Sequence, residues 1–539
     1  MLKQLSGLDS MFLYLEKTRT PAEISILQIY DPASAAGGKL GLKEILATFE
    51  NRLDQSSVFR RKLLEVPFSL DHPYWVEDSD FDIKNHVHYI SLPRPGDWRQ
   101  LMIQISRLQS QRMDKDKPLW EAHVIEGLDN IEGLSRGCFG IFLKMHHAMV
   151  DGVSGIDLQI AMHDKAAELK NSQACKPDGH RIMSKSPGTL ELLAKSPGNT
   201  IRKSTRLVMK MGSAVPGLIR GGLAWRESSS AGIPKTVFNV GRVSSARVID
   251  GLFFDLAEMK EITRSIENTT VNDVVLTVVS GALRKYLKSK GHLPKNSLLA
   301  ACPVNIRRKD GSHDSHDNMI SVMTASLHSD IADPLERIRA IHEATREAKA
   351  ISETIGAATL TEIPMNLPAP VAKNLLPLAM ELITRTDFTL FNTIITNVTG
   401  TQQPLFLAGA KMFRQMGIGP VFDKVGLIHA VFSYDGMISV AFTACREMLH
   451  DPAFYIDCIE ESYSDLRHAV FPVGKSEAAR IRAGKKPPAK RSATRTVKPT
   501  AAKATISKDP AKKARARMGP SKKTGARKTT RKKTGRVVV

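Results

Sequence analysis

Polar and apolar positions alternate along EISILQIY (Glu23 to Tyr30), the two-residue period of a strand, whereas LKEILATFENRL (Leu42 to Leu53) repeats its apolar positions every three or four residues, as a helix does. The second half of the chain mixes the same two periods. VIDGLFFDL (Val248 to Leu256), SLLAACPVNI (Ser297 to Ile306), FNTIITNV (Phe391 to Val398) and ISVAFTA (Ile438 to Ala444) read as strands. NDVVLTVVSGALRKYLKSKG (Asn272 to Gly291) reads as a long helix, opened by Asn and Asp and closed by Gly. The pattern predicts an α/β protein with mixed sheets and helices in layers.

Punctuation divides the pattern into lobes. A first lobe spans 1–185, a crossover rich in Gly and Pro with two SPG tripeptides spans 186–234, and a second lobe spans 235–474. At 539 residues the chain exceeds one ordinary core and is long enough to enclose a cleft between lobes. Within the crossover, TIRKSTRLVMKMGSAVPGLIRGGLAW sets Arg202, Lys203, Arg206, Lys210 and Arg220 among Ile201, Leu207, Val208, Met211, Leu218 and Trp225. Such a basic amphipathic stretch either docks its apolar side on the lobes or lies in a membrane interface.

Composition adds a boundary that hydropathy does not show. Of the 77 Lys and Arg residues 23 fall after Gly474, against two of the 55 acids, so 54 bases face 53 acids in the remainder. The formal charge of +22 therefore belongs to the tail, 475–539, and the body is close to neutral. PPAKRSATRTVKPTAAK and GARKTTRKKTGR lack the large apolar residues that would offset chain entropy, so the tail reads as a disordered basic arm, suited to nucleic acid or anionic lipid if it binds anything. No apolar run reaches the ~18 residues of a spanning helix. Lys3, Asp9 and Glu16 interrupt what a signal peptide would keep apolar, which points to the cytoplasm. Five cysteines without a C-x-x-C pair indicate neither a disulfide framework nor a zinc site.

Candidate chemistry concentrates in KMHHAMVDGVSG, Lys144 to Gly155. Read as a strand, Gly140 to His147 sorts Ile141, Leu143, Met145 and His147 onto one face and Phe142, Lys144 and His146 onto the other. Adjacent histidines on opposite faces do not share one metal ion readily, so metal is set aside although His146, His147 and Asp151 are ligand types. Ser154 lacks the G-x-S-x-G spacing of a nucleophile elbow. Asp151 could be an N-cap, and His147 a hydrogen-bonded core histidine. The joint strand, turn and helix instead favour His147 as a general base, an imidazole that titrates near neutrality and takes a proton from a hydroxyl or thiol.

HHAMVDG has the form H-H-x-x-x-D-G, and in it the chain resembles the bacterial wax ester synthase/acyl-CoA:diacylglycerol acyltransferase family of the CoA-dependent acyltransferase superfamily. LSGLDSMFLYLE, PLWEAHVIEGL, VNDVVLTVVSGALRKYL, CPVNIRR, TNVTGTQQPLFLAGA and VFSYDGMISVAF extend the likeness in order over Met1 to Gly474, leaving the tail outside. The resemblance implies a two-lobed, chloramphenicol acetyltransferase-like fold with a tunnel between the lobes leading to His147. It implies that His147 deprotonates an alcohol that attacks the thioester of a fatty acyl-CoA, without an acyl-enzyme. His146 and Gly152 belong to the same motif, Asp151 pairs with an arginine for which Arg307 is the match, and Asn272 and Asp273 support the site. Thr396 or Asn397 is the expected oxyanion donor.

Acyl-CoA is then a substrate and no cofactor is implied, while the ligands of the CoA phosphates have no visible motif. The acceptor is diacylglycerol or a long-chain alcohol, and the enzyme works peripherally at a membrane or lipid inclusion. Thr399 and Thr401 stand where the family usually has proline, which should loosen that turn. Two other readings share the motif. One is a condensation-type enzyme acting on carrier-bound acyl groups, and the other an inactive protein of lipid inclusions whose tail tethers DNA.

Overall fold

The computed structural model describes residues 3–53, 57–149, 159–160, 162–166, 232–306, 319–355 and 367–472. The tail, all of the crossover before residue 232, and Asp151, Gly152 and Arg307 lie outside these described residues. In chain order the first part holds β1 (Lys3–Gln4), α1 (Gly7–Leu15), β2 (Glu23–Asp31), α2 (Leu42–Leu53), β3 (Arg61–Leu64), β4 (Tyr74–Glu77), β5 (Val87–Ser91), α3 (Trp98–Ser110), β6 (Trp120–Glu126) and β7 (Phe139–His146). Next come β8 (Arg247–Asp255), α4 (Leu256–Ser265), α5 (Val271–Ser289), β9 (Leu299–Ile306), β10 (Met319–Ser326), α6 (Pro334–Ile355) and α7 (Ala369–Arg385). The described chain closes with β11 (Thr393–Thr399), β12 (Phe406–Leu407), β13 (Ala410–Ile418), β14 (Leu427–Tyr434), β15 (Met437–Cys445) and α8 (Pro452–Val470).

Two six-stranded mixed sheets carry the architecture, in the orders β12-β13-β2-β7-β6-β5 and β10-β9-β11-β14-β15-β8, beside a small antiparallel sheet β1-β4-β3. In the first sheet only β5 and β6 run parallel, and in the second β11 runs parallel to both β9 and β14. The β12-β13 pair comes from the second half of the chain yet pairs antiparallel with β2 of the first sheet, with a bulge between Met412 and Arg414. The two lobes are thus stitched together by strand exchange in addition to side-chain packing.

Every residue of β7 is buried, because both faces of its sheet are covered. Ile141, Leu143 and Met145 pack with Trp120, Phe49 and Leu53 of α2 on one side, and Phe142 packs with Leu101, Met102, Ile105 and Leu108 of α3 on the other. The strand therefore reads as a continuous apolar run in place of a half-polar alternation.

In the second lobe α5 is buried from Asp273 to Leu283 without interruption, so it is a core helix and its apolar face is nearly the whole circumference. Its ends are chemically fixed. Thr270 and Asp273 form a capping box, with the Thr270 N–H and the Asp273 N–H each donating to the other's side chain. At the other end Gly291 takes φ +71°, and His292 N–H donates to Leu287 C=O while Gly291 N–H donates to Lys288 C=O, the Schellman arrangement.

His429 on β14 is fully buried between the Thr393 hydroxyl at 3.2 Å and the Tyr455 hydroxyl of α8 at 2.8 Å. Burial pushes its pKa down to about 3, and that of the buried His163 in the first lobe down to about 4. Both rings stay neutral in the fold while the unfolded chain protonates them from about pH 6.5 downward. Stability is whole above that pH and should fall by ~1.4 kcal/mol per pH unit for each histidine between pH 6.5 and 4. Thermal melting across that range should show the loss, and His429→Gln, which keeps a hydrogen-bonding side chain that does not titrate, should reduce the slope by about half.

Candidate functional site

The β2–β7 ladder runs from Tyr30 opposite Phe139 to Glu23 opposite His146, and it ends there. His147 is not the last strand residue that alternation predicts. It begins the turn, with its N–H donating to Ala22 C=O at 3.0 Å and Met149 N–H donating to His146 C=O at 2.9 Å. The reason is local: Ala22 supplies the last carbonyl of the ladder, and the chain leaves the sheet once His147 has used it. Half-buried, the His147 imidazole lies against Phe12 of α1, ring centroids 3.9 Å apart and planes within 9°.

On the opposite face of β7 the alternation holds, and it builds an ionic layer. Lys144 is buried and donates to Leu108 C=O at 3.2 Å and to Gln111 C=O. Its ammonium is 4.0 Å from Oε1 of the buried Glu23, the same oxygen that accepts Met113 N–H at 3.1 Å. Burial pushes the Lys144 ammonium down and the Glu23 carboxyl up. His146 Nδ1 accepts Ala148 N–H at 3.0 Å, which leaves Nε2 to carry the proton, facing Glu16 Oε2 at 3.8 Å. Burial alone would raise the Glu16 carboxyl, but the His146, Lys115 and Arg112 donors around it win and hold it at about 2.

Of the second-lobe residues singled out from the sequence, Asp273 is structural. Buried as the N3 residue of α5, it accepts from Thr345 Oγ1 at 3.1 Å and lies 3.1 Å from His342 Nδ1 in addition to its cap. Asn272 and Asn397 meet, Asn397 Nδ2 donating to Asn272 Oδ1 at 3.2 Å. Thr396 and Asn397 are neighbours on β11 and point to opposite faces, the Thr396 hydroxyl reaching His429 C=O at 3.5 Å. Only one of them can face a given substrate.

The turn after β11 is not loosened by its two threonines. Gly400 N–H donates to Ser433 C=O at 3.0 Å, Gln403 N–H donates to Thr401 Oγ1 at 3.1 Å, and Gln402 Oε1 accepts Gly436 N–H at 3.1 Å. One of these, to the Thr401 hydroxyl, is a bond that proline could not accept. Gly400 itself has no room for a side chain, since a Cβ would sit 2.3 Å from Ser433 C=O.

The segment between α1 and β2 also crosses to the second lobe. Arg19 forms a two-pronged pair with Asp423 at 3.3 and 2.6 Å, and Lys17 reaches Asp423 at 3.4 Å and Glu381 of α7 at 3.0 Å. Arg247 donates to Arg19 C=O as well. Beyond the histidine loop the chain is anchored again: His163 Nε2 meets Tyr30 Oη at 2.7 Å, Gln159 donates to Gln415, and Asp164 pairs with Arg52. Phe12, Glu16, Arg19 and Asp423 were not singled out from the sequence. LSGLDSMFLYLE contains the first two, but nothing in its spacing says that they meet residues 130 positions away.

Among the described residues no group of three or more His, Cys, Asp or Glu side chains could hold a metal ion. Cys138, Cys302, Cys445 and Cys458 are buried free thiols, and no described helix is long and apolar enough to cross a membrane.

Two lobes of mixed sheet, with an H-H-x-x-x-D-G histidine at the turn between them, define an acyltransferase of the two-lobed α/β class. Residues 5–275 match the model of the wax ester synthase/diacylglycerol acyltransferase catalytic domain, and residues 316–467 that of the family's C-terminal domain. The chain is 30% identical to a putative diacylglycerol O-acyltransferase of Mycobacterium tuberculosis, over 86% of its own length and 90% of the relative. It is 29% identical to the O-acyltransferase WSD of Acinetobacter baylyi, over 83% and 93%. Its fold superposes on the wax ester synthase/diacylglycerol acyltransferase of Marinobacter aquaeolei with a TM-score of 0.61 and 26% identity, covering 87% of this chain and 100% of that one. The chain belongs to the wax ester synthase/diacylglycerol acyltransferase family. It is an O-acyltransferase.

Asp423 is 8% exposed and serves two cations from the first lobe. Asp423→Ala leaves both without their partner and should lower unfolding free energy by about 2 kcal/mol, below the range for a fully buried pair because Arg19 and Lys17 keep some water. A denaturant or thermal titration against the parent checks this.

Proposed function

We propose that the chain transfers a fatty acyl group from acyl-CoA to the hydroxyl of diacylglycerol or a long-chain alcohol, with His147 as general base. The observation that carries the reading is the half-buried His147 imidazole, held under Phe12 where β7 leaves the sheet, in a chain of this family. His147 takes the hydroxyl proton as the oxygen bonds to the thioester carbonyl carbon. The tetrahedral intermediate collapses by breaking the C–S bond, and the imidazolium returns the proton to the CoA thiolate. Ester and CoA thiol leave, and no acyl-enzyme forms.

Asn397 is the oxyanion donor this reading prefers over Thr396. Its amide carries two N–H groups, of which Asn272 takes one, whereas the single Thr396 proton points at the His429 carbonyl. Asp151 and Arg307 complete the reading as the ion pair that keeps the histidine loop in place, with His146 and Gly152 shaping it.

An insoluble acceptor has to be taken from a lipid phase, and α7 offers a surface for that. Val371, Leu375, Leu378 and Leu382 fall on one stripe and are 37%, 58%, 55% and 55% exposed. Phe68, 87% exposed with φ +55°, sits on the loop packed beside α7, and Lys373 and Arg385 flank the stripe with positive charge. This surface supports peripheral attachment to a membrane or lipid inclusion as part of the reading.

His147→Ala should lower ester formation from labelled acyl-CoA by ~10²–10⁴-fold without loss of the melting transition, the range for a general base. Ester formed at the parental rate by the folded variant rejects the assignment. Serine at Leu375, Leu378 and Leu382 together should weaken vesicle flotation on the order of 100-fold, at about 1 kcal/mol for each partly inserted side chain, while turnover of a water-soluble short-chain alcohol stays at the parental rate. Flotation unchanged by the triple substitution removes α7 as the lipid-facing surface.

A further inference from the structure

Helix α1 brings two side chains to bear on the histidine turn from two directions. Phe12 lies flat over the His147 ring at 3.9 Å, and Glu16, the C-cap residue of the same helix, faces His146 Nε2 at 3.8 Å. The Glu16 carboxylate is 1% exposed, gripped by Arg112 at 3.3 Å and by Lys115. His146 Nδ1 accepts the N–H of Ala148, so the residues on either side of His147 are tied to each other across it.

α1 itself has little freedom. Ser6 caps its start by accepting Asp9 N–H at 3.0 Å, and the chain just past its end is tied to Asp423 and Glu381 through Arg19 and Lys17. Tyr14 on the same helix hydrogen-bonds His72 at 3.1 Å, whose other nitrogen meets Leu367 C=O at 3.0 Å.

An imidazole at a turn has a broad, roughly two-fold torsion about its ring bond, so the backbone alone does not set the direction of its lone pair. A base works only when that lone pair points at the proton within hydrogen-bond reach, and small misplacements are expensive in rate. A ring stacked face to face removes rotation out of the plane. The Glu16 carboxylate, 3.8 Å from His146 Nε2 and beyond hydrogen-bond reach, biases the neighbouring ring and its turn by charge.

We infer that Phe12 and Glu16 are positioning residues for His147: Phe12 sets the plane of the ring, and Glu16, through His146, sets the turn that carries it. The inference rests on His147 being the base. Neither residue is given a contact with substrate, so both act on the rate of the chemical step and not on binding.

Steady-state kinetics of the full chain with a long-chain acyl-CoA and a long-chain alcohol test this. Phe12→Leu keeps volume and loses the ring, and should lower kcat roughly three- to tenfold, the population bias that a stacked pair supplies, with KM for both substrates within about twofold. Phe12→Tyr keeps the ring and should restore kcat. Glu16→Gln keeps the shape and loses the charge, and should lower kcat by a similar factor at unchanged KM. Parental kcat in Phe12→Leu, equal losses in Phe12→Leu and Phe12→Tyr, or an effect on KM alone overturns the Phe12 assignment, and parental kcat in Glu16→Gln overturns that of Glu16. Should Phe12→Leu lose its melting transition, Phe12→Met takes its place in the same comparison. His147→Ala separates the two levels: turnover at the parental rate there defeats the general-base reading itself, whereas an inactive His147→Ala beside a fully active Phe12→Leu defeats only the stacking.

Discussion

The hydrogen bond from His147 N–H to Ala22 C=O is the last rung between the two chains, and the turn closed by Met149 N–H on His146 C=O takes the backbone out of the sheet directly after it. One residue earlier, the His146 side chain belongs to the buried ionic layer, and one residue later, Ala148 packs with Leu5, Trp75 and Leu119. Had the ladder continued through His147, its ring would have been one more packed side chain on the face of Ile141, Leu143 and Met145. The segment joining α1 to β2 supplies the carbonyl of that last rung. The imidazole is released from the sheet while its backbone stays attached to it.

That same segment, Leu15 to Glu23, connects most of what surrounds the site. It carries Glu16 to His146, Lys17 and Arg19 to the acids of the second lobe, and Ala22 and Glu23 to the end of β7. The ion pairs to Asp423 and Glu381 are partly exposed, so their contribution is orientation more than raw stability. The heavier join between lobes is β13 in the first sheet, where seven residues of the second half of the chain pair along β2. A backbone ladder sets the distance between lobes and the charged segment sets their register at the histidine, so a shift of either lobe is felt at the turn.

Elements whose burial follows a simple period were legible in the sequence: β2, β8, β9, β11, β15, α2 and α5 fall within a few residues of where the pattern puts them. What escaped depends on residues far apart. Alternation cannot say that the chain turns at His147, because the turn is closed by Met149 N–H on His146 C=O and side-chain period carries no trace of it. It could sort Lys144 and His146 together, but not supply Glu16 and Glu23, which come from 130 and 121 positions away. The exchange of β12 and β13 into the first sheet left no periodic trace, since a strand in either sheet has the same pattern. The threonines of T-G-T were read as an absence of proline, and the hydroxyl of Thr401 accepts a backbone N–H of the turn.

The distribution of charge across β7 bears on why one histidine of the adjacent pair suits base chemistry and the other does not. His146 is enclosed, its Nδ1 occupied by the Ala148 N–H and its protonated Nε2 turned to a carboxylate kept ionised by Arg112 and Lys115. A ring in that position has no lone pair to offer a substrate. His147 follows the end of the strand, half-buried, with the face of the Phe12 ring stacked on its own. Such a face tolerates the neutral imidazole and attracts the imidazolium that forms when a proton is taken. The fixed charges of Lys144, Glu23 and Glu16 thus gather around His146, whereas His147 meets an aromatic face, and the two adjacent rings stand in chemically different surroundings.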